Sequence, residues 1–246
     1  MSDKFDVLWL SASPSLKHFD IPLLQYLSKY KKVAQWKYSQ TKDEAGSLDE
    51  AVMLVYECLK HCDAPVHLIG HGISGAIALI FARRYPKRVR SLTLLAVATQ
   101  PAMTWHTHYY VQRQLYTISQ ERVLATQVCN LFGSQRPYSL IRLVNALSRD
   151  LEESPSLHSL FQLTNLPRGG VSMPLMVCGS NTDSVVPPPA LHEWQNWFKS
   201  EDKLWECPDG YHFFHYFYPQ LLGEEILSFW QRSQYQLVTA SKISTL

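Results

Sequence analysis

The sequence predicts an α/β protein: a mostly parallel sheet of about six strands, flanked by helices. Two observations carry this. First, short apolar runs alternate with helix-period segments from Phe5 to Ala98, which is the rhythm of a parallel sheet with helices on both faces. Second, the rhythm stops near residue 100 and resumes after Pro174. Residues 1–100 and 169–246 therefore read as one core, and residues 101–168 as an inserted helical cap.

Each element has its own signal. Phe5 to Leu10 (FDVLWL) is a short apolar run that ends in Ser-Ala-Ser-Pro, a strand followed by a loop. Phe19 to Tyr30 places Ile21, Leu23, Leu24 and Leu27 at helical spacing, and Val33 to Tyr38 reads as a strand. Ser47-Leu48-Asp49-Glu50 has the form of a capping box and opens a helix to about His61. Val66 to Gly70 is a strand, Gly72 to Tyr85 a helix, and Val89 to Ala98 a continuously apolar strand. Between 101 and 168 the pattern is helical, with Val123, Val128, Leu131, Ile141, Leu143, Val144 and Leu147 as apolar positions. Then come a strand Leu175 to Gly179, a helix from about Pro189 to Lys199, a short strand Lys203 to Glu206, a helix from about Pro219 to Arg232, and a loose polar tail from Gln234.

Composition narrows the class. The chain has 246 residues, of which 46% are hydrophobic and 18% charged, so it can bury a large core. A net charge of +2 with only short basic pairs, Lys31-Lys32 and Arg83-Arg84, gives no nucleic-acid footprint. No run approaches a membrane span, and the N-terminus does not have the form of a signal peptide. The five cysteines have no histidine or cysteine partners at ligand spacing. They read as reduced thiols of a cytoplasmic protein. No metal or cofactor is expected: His106 and His108 are two apart with no third ligand. His67, in a strand, reads as a satisfied core histidine.

Open parallel sheets bind ligands beyond the carboxyl ends of their strands. Three loops there carry chemistry: Gly70-His71-Gly72-Ile73-Ser74-Gly75, Gly179-Ser180-Asn181-Thr182-Asp183-Ser184-Val185-Val186-Pro187, and Asp209-Gly210-Tyr211-His212-Phe213-Phe214. An elbow, then an aspartate, then a histidine is a hydrolytic triad's chain order. On these motifs, and on ARRYPKRVRSLTLLA after the elbow, the sequence resembles the α/β-hydrolase superfamily, in particular its capped esterase-like members, over about residues 5 to 232. The resemblance implies that the chain starts at the family's third strand. It also implies that His212 is the base and Asp183 its orienting acid, with His215 a weaker alternative base. The amides of Ser13 and Ile73 would be the oxyanion donors. Ser11 and Ser13 would bring hydroxyls to the pocket mouth, and Trp105 would pack over it.

The nucleophile is the exception. The family places it two residues after the first elbow glycine, which here is Gly72. Sliding the frame would make Ser74 the nucleophile. The family's helix-ending proline lies about fourteen residues after the nucleophile. Pro86 lies 14 residues after Gly72 and 12 after Ser74. The slide would also turn the helix by about 200° and move Ile77, Ile80 and Phe81 off the sheet. Gly72 is therefore the favoured register, and glycine offers no oxygen for an acyl-enzyme.

Four functions follow. The first is an inactive hydrolase homologue, a pseudoenzyme with a degenerate triad. It would bind a small, mostly apolar molecule or a protein partner. The second is a hydrolase or lyase in which Asp183 and His212 serve as general base. The third is an esterase carrying an engineered Ser-to-Gly change at residue 72. The fourth is a structural partner subunit. The first is preferred narrowly over the second. The Asp183–His212 pair also has a purely structural reading, as a buried tie between two loops.

Overall fold

The computed structural model describes residues 5–38, 47–155, 158 and 165–243. Parts of the expected cap, 156–157 and 159–164, lie outside the described residues, as do 244–246 of the expected tail. Six strands form one parallel sheet: β1 (Val7–Ser11), β2 (Val33–Lys37), β3 (Val66–His71), β4 (Val89–Leu95), β5 (Leu175–Ser180) and β6 (Lys203–Cys207). Their order is β2-β1-β3-β4-β5-β6. The helices are α1 (Ile21–Leu27), α2 (Leu48–Leu59), α3 (Ile73–Arg84), α4 (Trp105–Leu115), α5 (Gln120–Phe132), α6 (Leu140–Glu153), α7 (Pro188–His192), α8 (Phe214–Phe217) and α9 (Pro219–Ile243).

The two-residue alternation of the strands divides the core into two layers. Val7, Trp9, Ile69 and Met176 pack with Leu23 and Leu27 of α1 and with Leu222, Ile226 and Phe229 of α9. Leu8, Leu10, Leu68, Leu92 and Val177 face Val52 and Val55 of α2 and Ala76 and Ile77 of α3. Both faces are thus covered, which is why the central strands read as unbroken apolar runs. Helix α3 lies very close to the sheet. A Cβ on Gly75 would collide with Val97 and lie 2.8 Å from the Gly70 carbonyl, so only glycine permits this approach. Ser47 does open α2, its Oγ accepting the amide of Glu50 at 3.2 Å.

Three expectations shift. The last helix does not end at Arg232 but continues to Ile243, so the tail is not loose up to that residue. The segment has no glycine or proline to stop it, and its polar composition was a poor guide. The helix expected at 189–199 is one turn of α7 followed by a tighter 3₁₀ stretch, Glu193–Trp197. Strand β4 ends at Leu95, because Ala96 turns out of the sheet with φ +51°.

His67 on β3 is buried, hydrogen-bonded through Nδ1 to Ser91 Oγ at 2.7 Å, and stacked on Trp230 at 4.6 Å. Burial pushes its pKa down to about 3. Between the ordinary value of about 6.5 and that value, the unfolded chain binds a proton the folded chain does not, so stability falls as pH falls. Urea unfolding at pH 7 and pH 5 is expected to show that His67→Phe removes about 2 kcal/mol of this acid loss. An unchanged difference would mean that His67 protonates freely in the folded state.

Candidate functional site

Three loops after strand ends, and the start of α4, meet in one cavity. It is lined by Ser11, Ser13, Leu16, Asp20, His71, Gly72, Ile73, Ser74, Thr104, Trp105, His106, His212 and Phe213. Its volume is about 30 Å³, room for about two water molecules. Its wall mixes apolar surface from Leu16, Ile73, Trp105 and Phe213 with hydroxyl, carboxylate and imidazole groups.

Gly72 forms the sharp turn from β3 into α3, with φ +52° and ψ −120°. That backbone suits glycine and strains any other residue. A Cβ built on Gly72 would lie 3.7 Å from His212 Nε2. A serine Oγ, one bond further out, could then reach the imidazole. His212 Nδ1 hydrogen-bonds Asp183 Oδ2 at 2.9 Å. The other carboxylate oxygen accepts the amides of Val185 (2.8 Å) and Val186 (3.2 Å), which fixes the Asp183 side chain after β5. His71 Nε2 donates to the His212 carbonyl at 2.9 Å and ties the elbow to the histidine loop. Burial, with His215 and His212 nearby, holds His71 well below the ordinary imidazole pKa, so it stays neutral.

Ser74 lies in the cavity wall as the second residue of α3, and its Oγ accepts the Ala12 amide at 2.8 Å. The hydroxyl thereby anchors the loop after β1. That loop presents Ser13, and the Ile73 amide opens α3 as a donor with no intrahelical acceptor. Ser11 Oγ lies 3.4 Å from Asp20 Oδ2 and donates to it. His215 does not reach Asp183. Its Nε2 instead bonds Asp20 Oδ1 at 3.2 Å, and Trp9 Nε1 donates to Asp20 Oδ2 at 3.0 Å.

The chain is 59% identical over 241 residues to the uncharacterized protein alr2406 of Nostoc sp. (strain PCC 7120), covering 98% of this chain and 96% of that one. It is 38% identical over 242 residues to the uncharacterized protein sll0249 of Synechocystis sp. (strain PCC 6803), with the same coverage. The chain belongs to their family. No family model matches it. Among solved structures it is similar to a membrane phospholipase A described as a bacterial virulence factor (TM-score 0.71, 15% identity, 95% of this chain and 81% of that one). It is also similar to naproxen esterase from Bacillus subtilis (TM-score 0.69, 13% identity, 93% and 84%). With the six-stranded parallel sheet, these likenesses give the chain the α/β-hydrolase fold.

Within this fold the sequence missed two carboxylates. Asp150 is fully buried on α6 and accepts from Trp105 Nε1 (3.2 Å), His106 Nε2 (3.0 Å), Ser15 Oγ (3.3 Å) and Ser154 Oγ (2.7 Å). Its signal was available: Leu143, Ala146, Leu147 and Asp150 form one stripe at helical spacing, and a carboxylate on an apolar stripe asks for partners. Asp20 gave no such signal. It stands before Ile21-Pro22 like an N-cap, yet its side chain makes no cap bond and turns inward. Among the described residues, no three histidine, cysteine, aspartate or glutamate side chains are gathered for a metal, and no helix is long and apolar enough to cross a membrane.

Proposed function

We propose that this protein is an α/β-hydrolase homologue without acyl-transfer chemistry, and that its elbow cavity binds a small molecule beneath a cap formed by residues 101–168. The observation that carries this reading is Gly72: the turn has a nucleophile's backbone and faces His212 Nε2, but the residue has no side-chain oxygen. In this reading His212 and Asp183 remain as a proton-accepting pair. The amides of Ser13 and Ile73 hold a ligand oxygen, and Trp105 forms the roof. The anchoring of Ala12 by Ser74 Oγ supports a structural role for that serine and speaks against Ser74 as nucleophile. Five free thiols support a reducing, cytoplasmic setting.

A second reading has a specific observation behind it. The 3.7 Å between the Gly72 Cβ position and His212 Nε2 leaves space in which the pair could activate water or a substrate proton. Covalent labelling tests the first reading. Treated with a fluorophosphonate, the protein is expected to keep its unmodified mass.

A further inference from the structure

A second aspartate–histidine pair, His106 with Asp150, adjoins the cavity. His106 sits in the first turn of α4, is 1% exposed, and lines the cavity. Its Nε2 lies 3.0 Å from Asp150 Oδ2. Asp150 is surrounded by donors from Trp105, Ser15 and Ser154, so it acts as acceptor and His106 Nε2 carries the proton. In the neutral ring Nδ1 is then a bare acceptor. It is buried and has no hydrogen-bond partner among the described residues. Buried polar atoms are rarely left so. His215 Nδ1 shares this condition but lies outside the cavity lining, so no ligand there could complete it.

We propose that His106 is a ligand-binding residue whose Nδ1 accepts a hydrogen bond from a hydroxyl of the bound molecule. This rests on the reading of the cavity as a ligand site, and it names the class. The ligand is a compact, neutral compound with a carbonyl beside a hydroxyl. The carbonyl oxygen meets the amide donors of Ile73 and Ser13. The hydroxyl meets His106. Neutrality follows from Asp20, whose carboxylate lines the cavity, and from Asp150 and Asp183, which are bonded to the lining imidazoles of His106 and His212: an anion would meet a carboxylate in the wall and two more just behind it.

Hydroxyacetone and acetone differ by the one hydroxyl that matters. Histidine side-chain ¹⁵N NMR of the unsubstituted protein reads both pairs during titration with each compound. His106 is expected to be the Nε2–H tautomer in the free protein. Hydroxyacetone should shift His106 Nδ1 and His212, and bind about fivefold more tightly than acetone. In His106→Phe the two ketones should bind alike. If both ketones shift His212 equally and leave His106 Nδ1 unmoved, the proposal fails and the cavity reading stands. A protonated Nδ1 in the free protein overturns the proposal too. If neither ketone moves His212 or His106, the cavity reading falls with it.

Discussion

Replacing Gly72 by serine is expected to raise kcat/KM on p-nitrophenyl acetate about 10³-fold over the unsubstituted protein, because on the proposed reading the hydroxyl would join the Asp183–His212 pair as a nucleophile. The Asp183–His212 bond is formed, and the Cβ of residue 72 would stand 3.7 Å from His212 Nε2. The gain should vanish in the Gly72→Ser, His212→Ala double variant. Stability should move the other way. At φ +52° any Cβ is strained, so the serine variant should lose about 1–3 kcal/mol in urea unfolding. Gly72→Ala serves as control, with the same strain and no oxygen: the same loss of stability, and no turnover. Turnover in Gly72→Ala equal to that in Gly72→Ser would mean that the added hydroxyl does no chemistry.

The second large effect is structural. Asp150→Ala removes the acceptor shared by Trp105 Nε1, His106 Nε2 and the hydroxyls of Ser15 and Ser154. These groups sit between α4, α6 and the loop after β1, so Trp105 Nε1 and His106 Nε2 are left buried without their acceptor, while Ser154 Oγ keeps Ser13 Oγ at 3.4 Å. Leaving a buried donor without its acceptor costs about 1–3 kcal/mol, so losing the acceptor shared by several of them should cost about 3–5 kcal/mol. For a chain of this size the midpoint of thermal unfolding should drop by about 10 °C. Asn145→Ala, exposed on the same helix, should stay within about 0.5 kcal/mol of the parent. Scanning calorimetry of the two variants checks both values. A drop for Asp150→Ala no larger than that for Asn145→Ala would mean that water reaches the cluster.

The contrast between Gly72 and Asp150 marks how far the sequence can be read. The elbow was legible because its constraints are local. Gly70, Gly72 and Gly75 are each forced by backbone geometry within a few residues, and the distance to Pro86 favoured the frame with Gly72 at the elbow. Asp183 and His212 were legible because each lies just after a strand, at the sheet edge where parallel strands end together. The Asp150–His106 pair joins residues 44 apart on two helices whose packing no short pattern specifies. His106 could be seen only as half of a weak metal motif, and Asp150 only as an interruption in an apolar stripe. Asp20 has no sequence signal for the cavity: it directly precedes α1, and only the folded chain turns its side chain inward to Trp9 and His215. The end of α9 was missed because polarity was taken for looseness, although nothing in the segment breaks a helix.

Intact-mass spectrometry after fluorophosphonate treatment, with peptide mapping of any adduct, tests the central claim most directly. The account predicts no adduct on the unsubstituted protein and one adduct on Gly72→Ser, mapped to residue 72 and dependent on His212. An adduct on the unsubstituted protein at Ser74, Ser11 or Ser13 would contradict it. The cavity would then hold a working nucleophile, and the glycine at the elbow would not define what this protein does.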